Sequence, residues 1–419
     1  MSCKLMDNYI TTPSYVKIMK NINRLLRLAF LILIMQCTHK PLATGTVATE
    51  PQHEPISQRV MLGADQLDIL LPKLKGRNVA LVVNHTSLVG QTHITDTLIA
   101  SGIDVRKVFA PEHGFRGAAA DGEKINDGVD AKTGLPIVSL YGANRKPTPE
   151  QLSDVDVVIF DIQDVGTRFY TYISTMHYVM EACAEQGKKM IILDRPNPNG
   201  GYVDGPMRVP ELQSFVGMHP IPIVHGLTVG ELSGMINGEG WLANRVKCDV
   251  EVIQLKNWKH DEFYSLPVKP SPNLPNDQAV RLYPSLCLFE GTVVSVGRGT
   301  DTPFLIIGNP EFKDMPFSFT PRPIPGMSND PPQNGKLCYG LDLRNVEVEP
   351  RINLKYLLEF YKKYPDKEKF FIGSFDRLAG TPVLKEQIRK GLTEDQIRDT
   401  WKVGLDQYRN MRSKYVLYP

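Results

Sequence analysis

The chain reads as an α/β protein with a Rossmann-like parallel-sheet domain over residues 59–250. A smaller mixed α+β domain follows over 251–419. Three observations predict this. Short, nearly continuous apolar runs alternate with helical patterns, which marks a parallel sheet covered on both faces. Each run ends in a dense polar cluster, and ligands of such folds gather beyond the carboxyl ends of strands. After about Gly240 the alternation gives way to Pro-rich and irregular stretches.

The apolar runs are Val79 to Val83, Val105 to Ala110, Ile137 to Tyr141, Val155 to Asp161 and Met190 to Asp194. Tyr170 to Gln186 is the clearest helical pattern and stops before Gly187. In the second half Asp249 to Leu255 reads as a strand, and Leu354–Tyr364, Leu384–Lys390 and Glu394–Tyr408 read as helices. No G-x-G-x-x-G follows the first strand and no P-loop is present, which argues against a dinucleotide or nucleoside triphosphate. No cofactor is expected.

Bulk properties bound the function loosely. With 48 basic and 46 acidic residues the net charge is +2. That leaves none of the basic footprint of a nucleic-acid binder. At the N-terminus, Arg24 and Arg27 precede the apolar run Leu28–Met35, too short to span a bilayer and suited to a signal peptide. Residues 1–36 are therefore expected to be an export signal, with Met19 as a candidate start. The run ends at Cys37 in a lipobox-like context, although Gln36 stands where a small residue is usual. Cys37 is the expected lipidation site, the only membrane attachment foreseen, and 37–58 the flexible tether of a periplasmic or membrane-anchored protein. Beyond it, Cys183, Cys248, Cys287 and Cys338 form no C-x-x-C pair. Buried thiols and one or two disulfides both fit.

The chemistry should lie at the strand ends. Glu112 follows an apolar strand on a loop containing Gly114 and Gly117. A carboxyl emerging there is partly desolvated, which favours its protonated form and suits a general acid. His113 and Arg116 stand beside it. His113 fits a tuning role and a structural hydrogen bond equally well. Glycoside hydrolysis needs a second carboxylate across the scissile bond; Glu290, Asp161, Asp164 and Asp194 are candidates. The histidines show no metal-ligand spacing, so no metal is expected.

The runs Pro111–Gly117 (PEHGFRG), Phe160–Phe169 (FDIQDVGTRF), Asp194–Pro198 (DRPNP), Ser271–Pro275 (SPNLP), Phe289–Thr292 (FEGT) and Gly297–Thr300 (GRGT) occur in this order. Together they resemble the exo-β-N-acetylmuramidase family, the NamZ-type glycoside hydrolases of cell-wall recycling. The likeness runs from about Arg77 to the C-terminus. It implies a cofactor-free enzyme, with its active site in the interdomain cleft, that releases N-acetylmuramic acid from non-reducing ends of peptidoglycan-derived muramyl saccharides. It also implies Glu112 as the catalytic acid, with Glu290 a less direct carry-over.

The lactyl carboxylate of muramic acid suits a planar arginine fork. Arg116, Arg168, Arg195 and Arg298 lie in these motifs, with Arg168 or Arg298 favoured, although each can instead pair with Asp164 or Asp194. Asn84, His85, Asn197 and Asn273 are candidate partners for sugar hydroxyls or the N-acetyl group. Tyr170 and Tyr172 fit either sugar stacking or core packing. A non-catalytic periplasmic sugar-binding lipoprotein, or another hydrolase acting on wall fragments, is the alternative. The absence of G-x-S-x-G argues against a serine esterase.

Overall fold

The computed structural model describes residues 59–116 and 127–419. The signal-peptide run, Cys37, the tether and Gly117 lie outside the described residues. Helix α1 (Leu67–Leu74) leads into β1 (Asn78–Val83), followed by a small hairpin of β2 (Leu88–Val89) and β3 (Thr92–His93). Next come α2 (Ile94–Ala100), β4 (Asp104–Ala110), β5 (Gly128–Val129), β6 (Pro136–Ser139) and α3 (Pro149–Leu152). The sheet half closes with β7 (Val157–Asp161), α4 (Tyr172–Glu185), β8 (Lys189–Leu193), α5 (Val229–Gly238) and β9 (Asp249–Ile253).

The seven-stranded sheet has the order β5-β6-β4-β1-β7-β8-β9, and every pairing except β5–β6 is parallel. From β6 onward this is the 3-2-1-4-5-6 order of the doubly wound fold, with the chain reversing direction around β1. Strand β9 occupies the far edge and runs across residue 250, the boundary foreseen between the two parts. Successive residues alternate faces. Val79, Leu81 and Val83 of β1 enter one apolar layer, together with Ile159 and Ile191. Ala80 and Val82 enter the other, together with Phe160 and Ile192. Burial on both faces explains why these strands read as unbroken apolar runs.

The second half contributes α6 (Asp277–Leu286), a 3-10 turn over Cys287–Gly291 and an antiparallel sheet of β10 (Ile306–Asn309), β11 (Phe317–Phe319) and β12 (Cys338–Asp342), with β12 central. Helices α7 (Lys355–Lys363), α8 (Lys367–Phe370), α9 (Phe375–Ala379), α10 (Val383–Arg389), α11 (Glu394–Asp399) and α12 (Lys402–Arg412) complete it. The single helix expected over Glu394–Tyr408 is thus two. They divide at Thr400 and Trp401, where the Trp401 amide bonds back three residues to Arg398 and its indole is buried.

The described residues belong to one compact unit. Its larger core runs without interruption from Ala80 of the sheet to Phe289, Phe360 and Tyr408 of the smaller domain. Helix α4 lies inside this core, with eleven of its fourteen residues buried. The four cysteines past the tether are buried free thiols. No described helix is long and apolar enough to cross a membrane.

Candidate active site

A cavity of about 550 Å³ opens where the loops after β4 and β7 meet the turn after α6 and helix α9. The β4 loop supplies Glu112 and His113. Pro111 accepts the Gly114 amide at 3.0 Å, and this tight turn holds both His113 (φ 66°) and Gly114 (φ 77°) in the left-handed region. A non-glycine residue there is strained, and such strain gathers at functional sites. The start of α4 supplies Thr171 and Tyr172. The Thr171 hydroxyl donates to Glu112 Oε2 at 2.8 Å. Burial pushes the Tyr170 and Tyr172 phenols well above their ordinary range, so both remain protonated, and both line the cavity. Tyr170 donates to the Pro270 carbonyl at 2.8 Å.

Glu290 enters on the 3-10 turn after α6. Its Oε1 accepts from Arg298 Nε at 2.5 Å and its Oε2 from the Cys287 thiol at 3.4 Å. Gly291 is required immediately after it, because a Cβ there would lie 2.5 Å from Phe375 Cα. Asn273 also faces the cavity. Its amide nitrogen donates to the Met327 carbonyl at 2.9 Å, and its buried Oδ1 has no hydrogen-bond partner among the described residues. Tyr141, Arg145 and Phe215 form a further wall, with the Arg145 guanidinium 4.5 Å above the Phe215 ring.

Of the residues singled out by sequence, Glu112, His113, Tyr170, Tyr172, Asn273, Glu290 and Arg298 thus share one cavity. The others do not line it. Asp164, expected as a catalytic carboxylate, is buried beneath, with its Oδ2 accepting the Gly166 amide at 2.7 Å. Burial pushes its carboxyl up to about 7. Arg168, favoured as a lactyl anchor, is entirely buried. It donates to the carbonyls of Pro206, Ile221, Leu378 and Ala379 at 2.7–3.0 Å, and burial pushes it down to about 9.

Arg195 forms a buried two-pronged pair with Asp161 at 2.6 and 3.0 Å. Asn197 donates to the Leu227 carbonyl and packs against Gly166, where a Cβ would lie 2.1 Å from the Asn197 side chain. Asn84 is fully buried and accepts from the Thr86 amide and hydroxyl. His85 bonds the Lys269 carbonyl at 2.8 Å, and Arg116 forms a two-pronged pair with Asp130; both border a separate recess of about 380 Å³. Strand-end polarity located the sheet edge correctly, but most of these groups tie the loops to one another. Arg145, Thr171, Phe215 and Arg377 line the cavity without having been singled out, since they belong to none of the motifs. Among the described residues no group of His, Cys, Asp and Glu is placed to hold a metal ion.

Comparison with known proteins agrees with this architecture. A solved DUF1343 family protein from Bacteroides fragilis NCTC 9343 superposes with a TM-score of 0.80 at 46% identity, covering 86% of this chain and 99% of that one. A second from the same organism gives 0.72 at 30% identity, with 86% and 100% covered. The peptidoglycan β-N-acetylmuramidase NamZ of Bacillus subtilis (strain 168) is 38% identical over 378 residues, covering 84% of this chain and 90% of the relative. Family models for the N-terminal and C-terminal parts of exo-β-N-acetylmuramidase NamZ match residues 79–278 and 281–418, so the Glu112 loop falls in one and the Glu290 turn in the other. A cavity shared by these two carboxyl groups, on a chain matched along both parts, places the protein in the NamZ exo-β-N-acetylmuramidase family of glycosidases.

Proposed function

We propose that the chain hydrolyses β-N-acetylmuramyl bonds at the non-reducing ends of peptidoglycan fragments and releases N-acetylmuramic acid, with Glu112 as general acid. One observation carries the reading: Glu112 and Glu290 come from different parts of the chain and face the same cavity. Glycoside hydrolysis uses such a pair, one carboxyl protonating the leaving oxygen while the other acts on the opposite face of the sugar. Glu112 is held by a hydroxyl donor and Glu290 by a guanidinium. That asymmetry fits Glu112 as proton donor and Glu290 as the carboxylate across the bond. The peptidoglycan β-N-acetylmuramidase activity of the Bacillus subtilis relative supports the same substrate class. The polar rim around Asn273 suits the amide and hydroxyls of an N-acetylated sugar.

Export follows as part of the proposal, with residues 1–36 as the signal and Cys37 as the lipid-bearing residue of a periplasmic or membrane-anchored enzyme. Replacing Cys37 with Ala should move the protein from the membrane to the soluble fraction; unchanged fractionation would remove the anchor.

The test is a chain beginning at Thr38, incubated with N-acetylmuramyl-β-1,4-N-acetylglucosamine beside its Glu112→Gln variant, with products identified by mass. Free N-acetylmuramic acid from the unaltered chain, reduced roughly 10²–10⁴-fold in the variant, is expected for a lost general acid. Binding without cleavage by the unaltered chain would instead indicate a sugar-binding protein.

A further inference from the structure

Muramic acid differs from glucosamine by its lactyl ether, whose carboxylate is the only charge on the disaccharide substrate proposed above. A cavity that selects it needs a cation not already committed to a protein carboxylate. Arg298 is committed to Glu290, while Arg168, Arg195 and Arg116 lie outside the cavity on other partners. Two other arginines line it, Arg145 and Arg377. Neither forms a hydrogen bond or ion pair with any described residue, although Arg145 stacks on Phe215.

Arg377 is the more firmly placed. It is an exposed residue of α9, and α9 is fastened to the Glu290 turn. The Ile372 amide donates to the Gly291 carbonyl at 2.9 Å, and the Ser374 hydroxyl to the Glu290 carbonyl at 3.2 Å. Phe375 packs directly against Gly291. From below, the buried Arg168 guanidinium holds the carbonyls of Leu378 and Ala379, the two residues after Arg377. The neighbouring carboxylate, Asp376, is taken by Lys385 at 2.6 Å and does not compete. The result is an uncommitted guanidinium whose backbone is fixed in register with Glu290. The Arg145 backbone, in contrast, stands on the loop after β6.

We propose that Arg377 binds the lactyl carboxylate of the muramyl residue and so sets the enzyme's preference for muramic acid over glucosamine. This rests on the muramidase reading. The test uses the Glu112→Gln chain and calorimetry with two probes: N-acetylmuramyl-β-1,4-N-acetylglucosamine and the same disaccharide with its lactyl carboxyl amidated. A charge-assisted two-pronged contact should favour the acid by roughly 10- to 100-fold.

Adding Arg377→Gln should bring the acid down to the affinity of the amide. Arg377→Lys should keep part of the preference, and Arg145→Gln should keep it whole. A preference that survives Arg377→Gln, or that is lost with Arg145→Gln instead, overturns the assignment. No preference in the Glu112→Gln parent also overturns it, while cleavage of the disaccharide by the unaltered chain would leave the muramidase reading standing.

Discussion

The Thr171 hydroxyl lies 2.8 Å from Glu112 Oε2, so the residue just ahead of α4 fixes a carboxyl on the loop after β4. Two crossings of the sheet are thereby tied together at the cavity wall. Thr171→Val keeps the shape and removes the donor. We expect kcat to fall about 5- to 10-fold, in line with one hydrogen bond, with Thr171→Ser restoring most of it and thermal stability nearly unchanged. An unaltered kcat in the valine variant would show that the contact does not position Glu112 for reaction.

Arg168 satisfies four carbonyls, two from each half of the chain, and pairs with no carboxylate among the described residues. Removing it strands buried acceptors, which costs about 3–5 kcal/mol when a whole charged donor is lost. Arg168→Met should therefore lower the denaturant midpoint strongly. Loss of activity without loss of stability would instead return Arg168 to a direct role.

Asp164 gives a pH signature. Burial raises its folded value to about 7, against about 3.9 in an unfolded chain. A raised carboxyl favours the folded state in its protonated form. Its contribution is fully present below about pH 4 and declines as pH rises through 7. Asp164→Asn, which mimics the neutral acid, should gain stability relative to the parent across that window, on the order of 4 kcal/mol by pH 8. Chemical denaturation at pH 4.5 and pH 8 checks the crossover; a constant difference would contradict it.

Gly166 combines φ of 76° with direct contact to Asn197. Gly166→Ala needs both a strained backbone and displacement of a buried amide that holds the Leu227 carbonyl. A loss of at least about 2 kcal/mol is expected from these two effects. It is measured by thermal melting, and a neutral result would mean that the loop shifts freely.

Much of the fold was legible because β1, β7, β8 and the second half of β4 are buried on both faces and so spell themselves as apolar runs. Glu112 was legible because it leaves such a run beside glycine. The other strand-end groups misled by proximity. Asp161, Arg195 and Asn197 are polar because the crowded centre of the sheet edge must satisfy its own buried atoms. Sequence shows that a polar group stands at a strand end, not whether another strand end has already claimed it. Arg377 escaped notice for the opposite reason. It sits in a five-residue helix with no pattern of its own, and only the fastening of α9 to the Glu290 turn brings it to the cavity.

The apolar core shared by the sheet and the smaller domain makes the two parts unsuitable as interchangeable cassettes. Severing the chain between residues 278 and 281, where the family models meet, would leave each fragment with a wide greasy face and half of a carboxyl pair. Neither piece should persist alone in water. Complementation by co-expressing the fragments, rather than swapping one part between relatives, is the recombination this architecture permits.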